Sequence, residues 1–237
     1  MQPSPRFLTT RPAKVHAARP WSQFSHVSRE IERVVRDLSA AGSLRTGQTV
    51  LDYGSATSPY RALFPGEVSY LAADLPGNAL ADLELRPDGT VPLPDHSCDV
   101  VLSTQVLEHV EDPDLYVAEC ARLLNDTGSL VLSTHGIMYY HRDPEDYWRW
   151  TMAGLTRLLS RHGLDVVERR GVLGLPATGL QLFQDGLYHS LPRPARPLFA
   201  LLMQLLVKVA DRRSTAQARE ENGMVIAVRA VRRTGSA

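Results

Sequence analysis

Three apolar runs, each closing on a polar or acidic residue, set the rhythm of the first half of this chain. Val50 and Leu51 lead into Asp52, Tyr70 to Ala73 lead into Asp74, and Val100 to Leu102 lead into Ser103. Short apolar runs bounded by turn residues read as strands buried on both faces of a parallel sheet. Between them the period changes. Val27, Ile31, Val34, Val35 and Leu38 recur at helical spacing from about Ser25, with Gly42 as a C-cap. A second helix is predicted after Asp112-Pro113, an acidic cap followed by a first-turn proline, and runs to Leu124. A third is capped by Thr151, carries Leu155, Leu158 and Leu159, and ends at His162-Gly163.

The connecting segments complete the pattern. A short helix is expected from Pro59, a short third strand within 79–85, a turn over 125–128 and a strand over 129–134. Residues 164–170 read as a sixth strand and the alternating stretch 223–231 as the last. Strands alternating with helices imply an α/β fold, a doubly wound parallel sheet with right-handed crossovers. The sixth strand reaches the last without a simple crossover helix, which predicts an antiparallel edge.

One stretch departs from this scheme. Residues 171–213 hold many prolines and then a helix-like run at 198–209, where only Gln204 and Lys208 are polar, four positions apart on one face. The run is too short to span a bilayer. Two readings stand: a helix buried against the domain or a second subunit as a homodimer, or peripheral contact with a membrane surface through 193–213, flanked by Arg193, Arg196, Arg212 and Arg213. The domain reading is therefore a loose basic arm over 1–24, one domain over 25–237, and an apolar helical insertion over 171–221.

Composition narrows the class. The chain has 237 residues, 43% of them hydrophobic, with 26 basic and 26 acidic side chains. That balance gives no global field to recruit nucleic acid, so no nucleic-acid partner is expected. Cys98 and Cys120 form neither a disulfide framework nor a metal spacing and read as buried thiols. The start of the chain has no continuous apolar leader run, and a cytoplasmic protein is the expectation.

The chemistry concentrates where strands end. Asp52, Gly54, Ser55 and Ala56, continuing to Tyr60, place an acid and a small-residue bend after the first strand. Such a bend lets a nucleotide-like ligand approach the backbone. Asp74 lies 22 positions after Asp52, where a neighbouring strand can offer a carboxylate to ribose hydroxyls. These stretches, with the run 93–103, the following Gln-Val-Leu-Glu-His-Val and a later element at 141–151, resemble the class I S-adenosylmethionine-dependent methyltransferases of the methyltransferase-11 type. The resemblance covers roughly 25–170 and the last strand.

It implies a seven-stranded Rossmann-like sheet with an antiparallel last strand, and S-adenosylmethionine lying across the strand ends. By position, Asp52, Gly54, Ser55, Ala56 and Tyr60 would line the methionine and ribose side. Asp74 would hold the ribose, Leu75, Asp82 and Leu83 would meet the adenine, and Ser103 to Gln105 would pass under the methionine. The family's first motif commonly has two or three glycines; here only Gly54 stands, among small residues that still allow close approach.

The acceptor side offers imidazoles. His109 and His141 are candidate catalytic bases, and His135, Tyr140, Tyr147 and Arg149 candidate substrate ligands. Each has a structural alternative: His109 as a loop histidine, and Arg149 with Asp146 as an ion pair fixing its loop. The relatives' Glu-x-x-Glu-His metal pattern begins here with neutral Gln105, so no metal is expected. The expected activity is methyl transfer to O or N of a small molecule, a sugar, lipid-linked precursor or secondary metabolite. Two rivals remain. A nicotinamide dehydrogenase would want Gly-x-Gly-x-x-Gly, which the bend fails. A non-catalytic cofactor-binding module would act through 171–213 as an interaction surface.

Overall fold

The computed structural model describes residues 23–41, 45–64, 66–141 and 145–233. The expected basic arm falls almost wholly outside them, and the Gly42 cap wholly so. The elements run α1 (Ser25–Ala40), β1 (Thr49–Tyr53), β2 (Ser69–Asp74), β3 (Leu83–Glu84), β4 (Cys98–Thr104), α2 (Pro113–Leu123), β5 (Leu124–His135), α3 (Met152–Arg161), β6 (Leu164–Val172), α4 (Leu175–Tyr188), α5 (Arg196–Asp211), α6 (Ala216–Asn222) and β7 (Val225–Arg232). The strands form one sheet in the order β3-β2-β1-β4-β5-β7-β6. Neighbours from β3 to β5 pair in parallel, and β7 runs antiparallel between β5 and β6. The seven strands and reversed last strand are those expected.

Strand alternation distributes the apolar side chains to two cores, because successive residues point to opposite faces. Leu51, Val101, Leu130 and Leu132 pack with Tyr116, Val117 and Leu123 of α2 and Leu155, Leu158 and Leu159 of α3. Val50, Val100, Leu102 and Val131 pack on the other face with Val27, Ile31, Val34 and Leu38 of α1, Ala177 of α4 and Val207 of α5. A fully buried leucine such as Leu102 contributes about 2 kcal/mol by removal from water. The helix starts follow the sequence: Asp112 accepts from the amides of Asp114 and Leu115, and Thr151 from that of Gly154. Cys98 and Cys120 are buried free thiols.

Local details differ from expectation in four places. The predicted helix after Pro59 is a single 3-10 turn at Arg61–Leu63, and the third strand has two residues. The turn at 125–128 is absorbed into a longer β5, whose pairing with β4 shifts between Cys98 and Val100. Asn125 Oδ1 there accepts the Thr127 amide at 3.1 Å, an Asx-type bend that makes the irregularity. The helix predicted at 198–209 is α5, and α4 precedes it where no helix was predicted.

A polar knot fastens this helix pair to α1. The Gln204 amide oxygen accepts the His26 amide at 2.9 Å and the Ser25 hydroxyl at 3.3 Å. The side-chain amides of Gln181, Gln184 and Gln204 all donate to the Gln23 carbonyl, at 2.9, 2.7 and 2.9 Å. Asp211 lies 3.2 Å from His26 and 3.0 Å from Arg219 and accepts the Gly174 amide at 3.1 Å. Burial opposes its charge, yet these donors hold its carboxyl down at about 2. Val172 pairs with Val225, which pairs with His135, so α4 leaves the sheet level with the end of β5.

Candidate functional site

The bend after β1 is built from left-handed backbone. Gly54, Ala56 and Ser58 have φ of 81°, 46° and 50°. Only glycine adopts such angles at no cost; a side chain there carries strain of order 1 kcal/mol. The short first motif therefore keeps the glycine-type geometry without the glycines. Gly54 itself is required by space, since a Cβ there would stand 2.6 Å from Val106 Cγ2. The Gly54 and Ser55 amides donate to the Ala73 carbonyl at 2.9 and 3.1 Å, which locks the bend over the end of β2.

Asp74 clamps the same bend. Its Oδ2 accepts the Ala56 amide at 2.9 Å and the Asn78 side-chain amide at 2.6 Å, and Asn78 also donates to the Ala56 carbonyl at 2.7 Å. Asn78 was not singled out in the sequence; its place four positions beyond the acid is the signal that could have found it. Asp52 lies beneath, 1% exposed, and accepts the Tyr70 hydroxyl through Oδ2 at 2.5 Å. Its Oδ1 has no partner, nor do the buried hydroxyls of Ser55 and Ser58. Burial raises the Asp52 carboxyl to about 7, against the Tyr70 bond that favours its charge. Tyr60 joins this floor, with its hydroxyl bonded to Thr104 and its pKa raised by burial and by Asp52.

The adenine-side candidates divide. Asp82 accepts the Ala72 amide at 2.8 Å and an Arg61 N–H at 2.5 Å, so it also braces the edge of the sheet. Leu75 is buried in the core and Leu83 packs against it. Ser103 is fully buried, and its Oγ accepts the Tyr116 hydroxyl at 2.9 Å. Strand alternation turns its side chain towards α2. Gln105 is at the strand end in left-handed backbone, φ 57°. Its amide donates to the Ser133 carbonyl at 2.9 Å and its side chain to Ser133 Oγ at 3.0 Å.

Histidines gather where β4 and β5 end. The rings of His109, His135 and His141 form a near-equilateral triangle, with centroids 6.1, 5.9 and 6.0 Å apart. Glu108 lies fully buried beside them. Its Oε2 accepts the Thr134 hydroxyl at 2.9 Å and its Oε1 stands 3.2 Å from His135 Nε2. Burial raises the Glu108 carboxyl to about 8 and lowers His135 to about 3, where Arg149 adds to the effect. Both are therefore largely neutral at pH 7, a protonated acid beside a neutral imidazole, and Glu108 Oε1 has no hydrogen-bond partner. His135 Nδ1 is buried and has no partner. His109 Nδ1 lies 2.6 Å from the Glu145 carbonyl; a carbonyl only accepts, so the proton is on Nδ1 in the neutral ring and Nε2 is the basic nitrogen. Among the described residues no group of three or more His, Cys, Asp or Glu is arranged to hold a metal ion.

The loop that carries His141 is tied to this cluster. The amides of Tyr147 and Trp148 donate to the Glu108 carbonyl at 2.8 and 3.2 Å, and Tyr140 donates to Glu145 at 2.9 Å. Asp146 accepts the His141 amide at 2.7 Å. Arg149 donates to Asp146 at 2.6 and 2.5 Å and to the carbonyls of Met138, Tyr139 and Trp148. With its donors so committed, Arg149 anchors this loop, the structural alternative set out for it. Tyr140, Tyr147 and His141 are exposed and His135 is buried.

Bend and histidine cluster share the carboxyl edge of the parallel strands, the side on which open α/β sheets bind ligands. Residues 54–132 match a family model described as a methyltransferase domain. A probable S-adenosylmethionine-dependent methyltransferase of Mycolicibacterium smegmatis is 35% identical over 129 residues, 52% of this chain and 45% of that protein. A ubiquinone biosynthesis O-methyltransferase of Cereibacter sphaeroides is 32% identical over 102 residues, covering 34% of this chain and 39% of the relative. The match thus spans less than half the length of either relative. Among solved structures, a putative sarcosine dimethylglycine methyltransferase from Galdieria sulphuraria superposes with a TM-score of 0.56 at 15% identity, over 86% of this chain and 85% of that one. At that identity the likeness is one of fold.

Proposed function

We propose that this chain, which belongs to the class I S-adenosylmethionine-dependent methyltransferase family, is an active enzyme that methylates an O or N atom of a small molecule. The observation that carries the reading is the bend at 54–58. Three left-handed residues there surround buried polar atoms of Asp52, Ser55 and Ser58 that lack partners. Such atoms are costly to bury unpaired, and a polar ligand laid along the bend would complete them. Asp52, Gly54, Ser55, Ala56 and Tyr60 would hold S-adenosylmethionine on one side, Asp74, Leu75, Asp82 and Leu83 on the other, and Gln105 beneath. The cofactor supplies an activated methyl group, so the protein's main contribution is to position the acceptor.

The histidine cluster supports a hydroxyl or amine acceptor that loses a proton. His141, on the exposed side of the cluster, is our candidate base, with His109 beside it and its tautomer set by Glu145. His135, Tyr140 and Tyr147 would shape the acceptor pocket. Sugars, lipid-linked precursors and secondary metabolites are the acceptor classes carried forward.

Calorimetry with S-adenosylmethionine, S-adenosylhomocysteine and NAD tests the cofactor. Binding of the first two and not the third is expected; the reverse removes the assignment. Methyl transfer to a panel of hydroxyl and amine acceptors then tests activity, and tight cofactor binding with no transfer to any would favour a non-catalytic module. His141→Ala should lower turnover at least tenfold with cofactor affinity within twofold; equal losses in both would take the base role from it.

A further inference from the structure

Helix α5 is amphipathic in the inverted sense. Its inward stripe is Ala200, Met203, Gln204, Val207 and Asp211, which includes the two polar residues of the knot with α1. Its outward stripe is Leu198, Leu201, Leu202, Leu205, Leu206 and Val209, at i, i+3, i+4, i+7, i+8 and i+11, each 40–62% exposed. That spacing belongs to a helix buried on this face. Leu175, Phe183 and Leu187 on α4 are likewise exposed, and Gln204 bonding to Gln181 and Gln184 at 2.9 Å holds the two helices together. Exposed aliphatic area of this continuity marks a contact surface.

Charge decides what covers it. From Gly171 to Arg213 the acids are Asp185 and Asp211, and both turn inward. Asp185 accepts from Gln181 at 3.0 Å, and Asp211 is ion-paired with Arg219 at 3.0 Å and lies 3.2 Å from His26. The basic residues of the stretch are Arg193, Arg196, Lys208, Arg212 and Arg213, and all but the half-buried Arg196 are exposed. A two-fold pairing with a second copy would set this cationic rim against itself. An anionic surface complements it, and an apolar helix face rimmed by cations is the design that lies in a bilayer interface. The helix is about 24 Å long at 1.5 Å per residue, and no helix among the described residues is long and apolar enough to cross a membrane.

We propose that the outer face of α4 and α5 docks on an anionic lipid bilayer, lying in its interface. Helix α4 leaves the sheet level with His135, so the helix pair begins at the same strand edge as the histidine cluster. The binding itself does not rest on methyl transfer. The test is flotation of the full chain, without cofactor or acceptor, on vesicles of phosphatidylcholine alone and with about 30% phosphatidylglycerol. Binding to the anionic vesicles is expected, falling at least tenfold on neutral ones and with added salt. The exposed double variant L202E/L205E should lose at least tenfold more, with an unchanged circular dichroism spectrum. R212E/R213E should lose about fivefold for each charge. Absence of vesicle binding, or binding that these variants leave intact, overturns the proposal. So does a dimer in sedimentation velocity that L202E/L205E dissolves, because a second copy would then be the occupant.

Discussion

Asp52 carries a stability effect that its surroundings make calculable. In water a carboxyl of this kind ionises near 3.8; buried at the end of β1 it does so at about 7. Between those values the folded chain holds a proton that the unfolded chain has released, so stability falls as pH rises through the window. About 1.4 kcal/mol accompanies each tenfold change in proton affinity, which makes the whole effect about 4 kcal/mol. Part is already spent by pH 5; from pH 5 to pH 8 the loss is about 2.5 kcal/mol. Asp52→Asn copies the shape of the protonated acid, still accepts from Tyr70, and cannot ionise. Its stability should match the parent at low pH and exceed it by several kcal/mol at pH 8. Urea unfolding at pH 5, 6, 7 and 8 reads this as a midpoint difference of about 1 M accumulating across the series. Glu108 and His135 titrate in both proteins, so the difference between them isolates Asp52. Parallel pH profiles for the two proteins would refute a buried, neutral Asp52.

Further outcomes follow from the same geometry. Ala56→Gly should raise stability by about 1 kcal/mol in urea unfolding by relieving left-handed strain, and a loss would show that the backbone is at ease. Gly54→Ala should cost about 1–3 kcal/mol by overpacking against Val106 and weaken S-adenosylmethionine at least tenfold in calorimetry; adding Val106→Ala should recover part of both. Affinity for that cationic ligand should fall about fivefold from pH 7 to pH 6 as Asp52, ionising at about 7, takes its proton, and Asp52→Asn should flatten the dependence. Arg149→Met should speed amide exchange at Tyr147 and Trp148, while cofactor affinity stays within twofold; slow exchange in the variant would show that the loop stands without its anchor.

The legibility of this chain in sequence followed from how strictly each feature depends on local pattern. β1, β2 and β4 are buried on both faces, so their apolar runs were visible, and the acids at their ends marked the carboxyl edge. The caps at Asp112 and Thr151 were visible because capping is chemistry within three or four residues. The face that Ser103 presents was not legible, because a strand end must be counted to the residue before its face is known. Helix α4 went unread because it buries Thr178, Gln181 and Gln184 and exposes Leu175 and Phe183, the opposite of the pattern a single-sequence reading seeks. Arg149 could not be assigned before its five acceptors were seen. The histidine triangle joins residues from three separate segments, and no spacing announces it.

The knot at Gln23 has a consequence for how this chain tolerates substitution. Three glutamine side chains converge on a main-chain oxygen, a group that every amino acid brings. Replacing residue 23 should therefore go unnoticed, while trimming Gln181, Gln184 or Gln204 should loosen the helical pair from the start of α1. An alanine scan would score the anchoring point itself as inert, although three of its neighbours depend on it.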